Sequence, residues 1–278
     1  MIIYFSLAAL CVVAVAACAW WLFSIRRGRF RAADGETGGP YPVVLVHGFF
    51  GFDQLDVLGR QLHYFRGVSA ALRADGVDVH VVRLPPLASV SERATALVSF
   101  IRGLDVERVN IVAHSMGGID ARFAITELGL ADDVASLVTI GSPHRGTPLA
   151  HAGNSLPARA VRAVLETAGV STSATEWLTP EQMERFNRTV LDQPSVYYAS
   201  VVGRPSRDQI ALVLKPSRRV LEHRAGTSDG VVPSASQAWG DLLFEVPADH
   251  WAQIGWSKTY DARPLYRDII GHLRSKGL

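Results

Sequence analysis

Four short runs of apolar, largely β-branched residues constrain this chain more than any other feature. They are "YPVVLVH" (41–47), "VDVHVVRL" (77–84), "RVNIVAH" (108–114) and "VASLVTIG" (134–141). Successive side chains on a strand point to opposite faces, so a strand that is apolar at consecutive positions is buried on both sides. Between the runs lie segments with helical spacing: an amphipathic stretch around 62–74, "SERATALVSFIRGL" (91–104), and 115–129, which ends near Gly129. Strands alternating with helices predict an α/β fold with a mostly parallel sheet and helices on both faces. The rhythm resumes at "SVYYASVVG" (195–203) and "DLLFEV" (241–246), with a last helix expected over about 264–275.

Residues 149–190 interrupt the alternation. They read as helical, punctuated by Pro157 and Pro180, with Leu156, Val161, Val164, Leu165, Trp177 and Leu178 as apolar positions. A helical insertion between sheet strands either caps a site as a lid or simply packs on the sheet, and both readings stand.

The N-terminus has a different character. Residues 2–25 carry no charged side chain, and at ~1.5 Å per residue a helix of that length crosses a hydrocarbon core of ~30 Å. Trp20 and Trp21 sit near its end, followed by Arg26, Arg27, Arg29 and Arg31. A cleaved signal peptide normally carries positive charge ahead of its apolar run, and none precedes this one. These features predict a transmembrane anchor over 1–25 and a basic flank and Gly-rich linker over 26–40, and leave the α/β domain over 41–278. The arginines favour an inner-membrane protein with its domain on the cytoplasmic side. The alternative is a lipoprotein, because Val15-Ala16-Ala17-Cys18 resembles a processing box that would lipidate Cys18. The formal charge of +2 follows the same division. Beyond Arg31 the chain has 24 Lys and Arg against 26 Asp and Glu, a net of −2. The basic excess suits anionic headgroups and leaves no nucleic-acid footprint. Both cysteines, Cys11 and Cys18, lie in the anchor, so the domain holds neither a disulfide nor a cysteine nucleophile.

"NIVAHSMGG" (110–118) ends the third apolar run in a serine flanked by Ala113 and Gly117. Such a serine is a helix N-cap or a nucleophile on a sharp strand-to-helix turn. A hydroxyl is a weak nucleophile, so the second reading requires a base, an acid to orient it, and donors for an oxyanion. Each has a candidate. "HGFFG" (47–51) follows the first strand, and the backbone N–H groups of Phe49 and Met116 are the expected oxyanion pair. The His47 side chain is expected to be structural. Asp229 lies in the turn "GTSDGVVP" (226–233), and His250 follows the strand 241–246. Asp249 is a poor partner for His250, since neighbouring side chains in extended chain point apart. The order Ser115, Asp229, His250, each beyond its own strand, is the order of an α/β-hydrolase triad. The remaining histidines read as structural: His63 and His272 in helices, His80 in a strand, His114 pointing away from the nucleophile, His144 and His151 beside the cap, and His223 before the acid. Phe50 and Trp251 are candidates for an acyl-binding wall.

Together, "YPVVLVHGFFGFD", "VNIVAHSMGGIDARF", "VASLVTIGSPHRGTPLA", "LTPEQMERFN", "GTSDGVVP" and the His of "ADH" resemble the bacterial triacylglycerol lipases of the Pseudomonas and Burkholderia type over about 41–276. The resemblance implies an α/β-hydrolase fold with a helical lid, ester hydrolysis and lipid-like acyl substrates; no cofactor is expected. It maps the triad onto Ser115, Asp229 and His250 and the oxyanion donors onto Phe49 and Met116. An acyltransferase, thioesterase or phospholipase would use the same triad, and a membrane-tethered scaffold is the non-enzymatic rival. Those lipases typically hold a structural calcium near the histidine, with an acid two residues beyond it. Here that position is Ala252, and no Asp or Glu occurs from 250 to 260, so no calcium site of that kind is expected.

Overall fold

The computed structural model describes residues 40–49, 54–57, 60–86, 88–154 and 177–278. The expected anchor and nearly all of the linker, the acyl-wall candidate Phe50, and residues 155–176 of the expected cap lie outside the described residues. Among the described residues, no helix is long and apolar enough to cross a membrane.

Strand β1 (Val43–Val46) is followed by an antiparallel ribbon of β2 (Gln54–Val57) and β3 (Arg60–His63), then α1 (Val68–Ala74) and β4 (Val79–Val81). Next come α2 (Val90–Arg102), β5 (Val109–His114), α3 (Met116–Glu127) and β6 (Val134–Ile140). The chain continues through α4 (Pro180–Thr189), β7 (Tyr197–Gly203), α5 (Lys215–Ala225), β8 (Asp241–Val246) and α6 (Arg263–Ser275). Among the described residues, six strands form one sheet in the order β4-β1-β5-β6-β7-β8, and every pairing in it is parallel.

The order reverses at β1. The chain steps outward to β4, crosses back to β5, and then proceeds the other way. Right-handed crossovers in opposite directions place their helices on opposite faces. Accordingly Val43, Leu45, Val112 and Ile140 face Leu72 of α1 and Ile269 of α6. Val44, Val46, Ile111 and Leu137 face Leu97 of α2 and Ile125 of α3. The register sets Val46 beside Ala113, so β1 and β5 end level with one another. A reversal of strand order opens a crevice beyond the carboxyl ends of the strands, and here it lies between the loops after β1 and β5.

Three expectations need correction. The helix expected around 62–74 begins only at Val68, because Gly67 takes a left-handed conformation (φ 73°) that breaks it. Residues 60–63 instead pair with 54–57, so His63 lies in a strand. Tyr64 and Phe65 mimicked a helix face because the loop itself is buried. The second main-sheet strand covers only 79–81; one further bond, Val82 N–H to Leu45 O, follows before Pro85 and Pro86 end the pairing. Helix α5 had no clear sequence signal, since "KPSRRVLEHRA" buries only Arg218 and Leu221.

The flanks of the expected cap are described. Residues Pro148–Asn154 form 3-10 turns, and α4 starts at Pro180, capped by the Thr179 hydroxyl, which accepts from Gln182 N–H at 3.3 Å. Met183 and Phe186 of α4 pack with Met116 and Ile119 of α3. Arg122 of α3 donates to Asn187 Oδ1 at 2.8 Å and Val190 O at 2.9 Å, with its guanidinium 3.6 Å from the centre of the Trp239 ring. The returning limb is thus a packed part of the domain.

Leu97 is fully buried in the α2 interface. Leu97→Ala is expected to lower stability by about 2–5 kcal/mol, measured as a shift in chemical-denaturation midpoint at constant m-value.

Candidate active site

Ser115 stands between β5 and α3 with φ 56° and ψ −130°, backbone angles that non-glycine residues rarely adopt. Its N–H donates to Ile140 O at 2.9 Å, tying the turn to β6. It occupies the N-cap position, yet its side chain makes no cap hydrogen bond. Instead Oγ lies 3.0 Å from His250 Nε2.

The surrounding small residues make this turn possible. A Cβ on Gly117 would come within 2.8 Å of the carbonyl oxygens of Val46 and His47, and one on Gly118 within 2.3 Å of Ser142 Oγ. A Cβ on Gly48 would meet Ser115 Cβ at 2.6 Å. Ala113, where the G-x-S-x-G pattern has its first glycine, points instead into the core shared with Ala121, where a methyl is accommodated.

Beyond β7 and β8 the other two groups converge. His250 Nδ1–H donates to Asp229 Oδ2 at 2.8 Å, and His250 N–H donates to Asp229 O at 2.9 Å. Asp229 is fully buried, and its Oδ1 accepts from the N–H groups of Val231 (2.9 Å) and Val232 (2.8 Å). Oδ2 also accepts from Gln253 Nε2 at 3.2 Å. A buried carboxylate with this many donors is satisfied as an anion. With Nδ1 protonated toward Asp229, Nε2 is the acceptor facing the Ser115 hydroxyl. The structure thus brings Ser115, His250 and Asp229 together in one hydrogen-bonded chain. The Asp249 carboxylate turns away to backbone N–H groups.

The loop after β1 is clamped from below. Arg93, wholly buried on α2, donates through Nη2 to His47 O at 2.8 Å and Gly48 O at 3.3 Å. Its Nε donates to Asp120 Oδ2 of α3 at 2.7 Å. His47 Nδ1–H also donates to Gly48 O, at 3.0 Å, while Nε2 accepts from Leu84 N–H at 2.9 Å. A trans peptide sets N–H opposite C=O, so pinning the Gly48 carbonyl on this side aims the Phe49 N–H the other way. Met116 N–H belongs to the first turn of α3, where N–H groups lack intrahelical partners. The side-chain role expected for His47 is therefore a brace. Burial, helped by Arg93, pushes its imidazole down to about 3, so it stays neutral. Burial pushes the Asp120 carboxyl up to about 6, against the opposing pull of Arg93.

Sequence reasoning missed Arg93, although its position carried a signal. It falls in the stripe Val90, Ala94, Leu97, Ile101 that α2 turns to the core. A second missed element lies under His250. Gly48 N–H donates to Tyr64 Oη at 3.1 Å, and Tyr64 Oη in turn donates to His114 Nδ1 at 2.7 Å. The His114 ring lies 4.5 Å from that of His250, centre to centre. His114 thus points away from Ser115 but against its base. Burial, with His250 adding to it, holds His114 well below the ordinary imidazole range, so its ring stays neutral. Trp251, next to His250, is 36% exposed. Among the described residues, no three or more His, Cys, Asp or Glu are grouped to hold a metal ion.

Residues 43–262 match the alpha/beta hydrolase family. The chain belongs to that family. Among alpha/beta hydrolases, the triacylglycerol lipase of Vibrio cholerae is 33% identical over 150 residues, covering 52% of this chain and 44% of the relative. The Burkholderia plantarii triacylglycerol lipase is 32% identical over 126 residues, 43% of this chain and 34% of the relative. The chain therefore spans about half or less of these curated relatives' lengths. The crystal structure of the mature Bacillus licheniformis lipase BlEst2 superposes with a TM-score of 0.69 at 21% identity, covering 88% of this chain and 99% of that one. These matches support the likeness to bacterial lipases read from the motifs, and the superposition shows the α/β-hydrolase fold.

Two substitutions test the clamp. Gly48→Ala places a methyl against Ser115 and is expected to reduce ester turnover by about 10²-fold or more, read as kcat on a soluble ester. Arg93→Leu strands Asp120 in the core and is expected to lower unfolding free energy by about 3–5 kcal/mol in denaturant titration.

Proposed function

We propose that the protein is a serine carboxylic-ester hydrolase acting on acyl esters of lipid-like substrates. The observation that carries this reading is the 3.0 Å approach of Ser115 Oγ to His250 Nε2 at a strained turn, with Asp229 2.8 Å behind the imidazole. His250 takes the Ser115 proton as Oγ attacks the acyl carbonyl. Asp229 holds the imidazole in the required tautomer and stabilises its charged form. The backbone N–H groups of Phe49 and Met116 receive the oxyanion. The imidazolium then protonates the departing alcohol. Water, deprotonated by His250, releases the acid from Ser115. Trp251, exposed beside His250, contributes to the acyl wall, and residues 2–25 anchor the chain in a membrane.

Ser115→Ala should lower p-nitrophenyl ester hydrolysis by about 10⁴-fold or more and abolish labelling by a fluorophosphonate probe, with folding unchanged by circular dichroism. Undiminished hydrolysis by that variant would falsify the assignment. The rate profile across esters of increasing acyl length reads out the size of the pocket, and Trp251→Ala should weaken the longer esters more than acetate. Deleting residues 1–32 should move the protein from the membrane pellet to the supernatant; retention in the pellet would remove the anchor.

A further inference from the structure

The lipases this chain resembles typically hold a structural calcium near the catalytic histidine, so what holds the turn of His250 here is a physical question. The residues present do not suit that ion. Calcium takes about six to eight oxygen ligands, carboxylates foremost. Position 252 is a buried alanine, and the acid that precedes His250 in sequence, Asp249, is already engaged. Its Oδ1 accepts from Trp251 N–H at 3.0 Å and Ala252 N–H at 2.8 Å. Its Oδ2 accepts from Ala211 N–H at 2.7 Å. The residue is 2% exposed, so these three donors, rather than water, satisfy its charge.

We propose that Asp249 is a positioning residue that holds His250 in register with Ser115 and Asp229. The proposal rests on the ester-hydrolase reading above. Its geometry is a clasp with two arms. One arm closes the turn over His250 itself, since Trp251 and Ala252 follow it directly. The other reaches the 210–214 segment, which shelters the acid. Leu214 and Ile210 lie against Gly230, where a Cβ would sit 3.1 Å from Leu214 Cβ and 3.5 Å from Ile210 Cδ1. Ser217 Oγ donates to Gly230 O at 2.6 Å. One carboxylate therefore links the base's turn to the wall behind the acid's turn.

Gln253 closes the far end. Its N–H donates to Asp249 O at 3.1 Å and its Nε2 to Asp229 Oδ2 at 3.2 Å. Its amide fills the space between Gly141 and Gly203, where a Cβ on either would stand 2.3 or 2.2 Å from it. A charge-assisted bond from backbone N–H to carboxylate is about twice as strong as a neutral one. Three such bonds, two within the turn and one from Ala211, restrict the imidazole without a metal.

The test compares wild type with Asp249→Asn and Asp249→Ala on a soluble p-nitrophenyl ester. The carboxamide oxygen of Asn retains the bonds from Trp251 and Ala252, but its NH₂ cannot accept from Ala211 N–H. Asp249→Ala should therefore lower kcat by about 10–10²-fold with KM within about threefold, and Asp249→Asn by less. Fluorophosphonate labelling of the folded fraction should slow in the same order. Exhaustive EDTA dialysis should leave the kcat and Tm of the wild type unchanged, and calcium chloride should rescue neither variant. If Asp249→Ala does not fold, Asp249→Asn decides. Wild-type kcat in a folded variant, or loss of wild-type activity in EDTA with recovery in calcium, overturns the proposal. If Ser115→Ala is inactive while both Asp249 variants are normal, the clasp fails and the hydrolase reading survives. If Ser115→Ala stays active, the hydrolase reading itself fails.

Discussion

The backbone turn at Ser115 is the constraint on which the rest of the site depends. A serine held at φ 56° stores on the order of 1–3 kcal/mol of strain, and it persists only where its surroundings allow no alternative. Those surroundings are specific. The Ser115 amide is bonded to β6, and Gly48, Gly117 and Gly118 each occupy a place where a side chain would strike a neighbour. The strain has a visible consequence. The hydroxyl that would cap α3 in a relaxed helix start is presented to His250. The same turn is why β1 and β5 must end level, since the loop after β1 has to pass within contact of Ser115.

Beneath this turn lies a layer of buried polar groups that fixes positions. A fully buried arginine against a buried aspartate is not an efficient source of stability, because desolvation opposes the attraction. Its value here is geometric: the Arg93 guanidinium has three directions of donation, and it spends them on Asp120, on Pro85 O, and on the two carbonyls of the β1 loop. Tyr64 ties the amide side of the same loop to His114, and His114 supports the ring of His250. Burial holds His47 and His114 neutral, so neither adds a positive charge to the layer beneath the site.

How much was legible beforehand follows from what each residue interacts with. The apolar runs announced strands because a doubly buried strand leaves few other compositions possible, and the capping box of Ser89 and Glu92 opens α2 beside the expected start. Ser115 and His250 could be singled out because each follows a strand, and Asp229 because it sits in an Asp-Gly turn. The ribbon of β2 and β3 could not, since Gln54–Val57 alternates over only four residues and Arg60–His63 holds a single apolar one, so pairing there is set by the partner strand. The buried loop of Tyr64 and Phe65 imitated a helix for the same reason: burial came from tertiary contact and not from periodicity.

The sequence by itself determined the α/β class and the candidates Ser115, Asp229 and His250 in that order, because these depend on side-chain chemistry and short-range pattern. Tertiary structure decided which carboxylate serves the imidazole. Asp229 and Asp249 both stand close to His250 along the fold, one bonded to Nδ1 and the other turned onto backbone amides. It also decided that Arg93, Tyr64, His114 and Gln253 belong to the site. Each lies on a different segment from the group it positions, or reaches it through a partner distant in sequence. Contacts of that kind come into being only when the sheet assembles, since no local pattern encodes the distance between two strand ends.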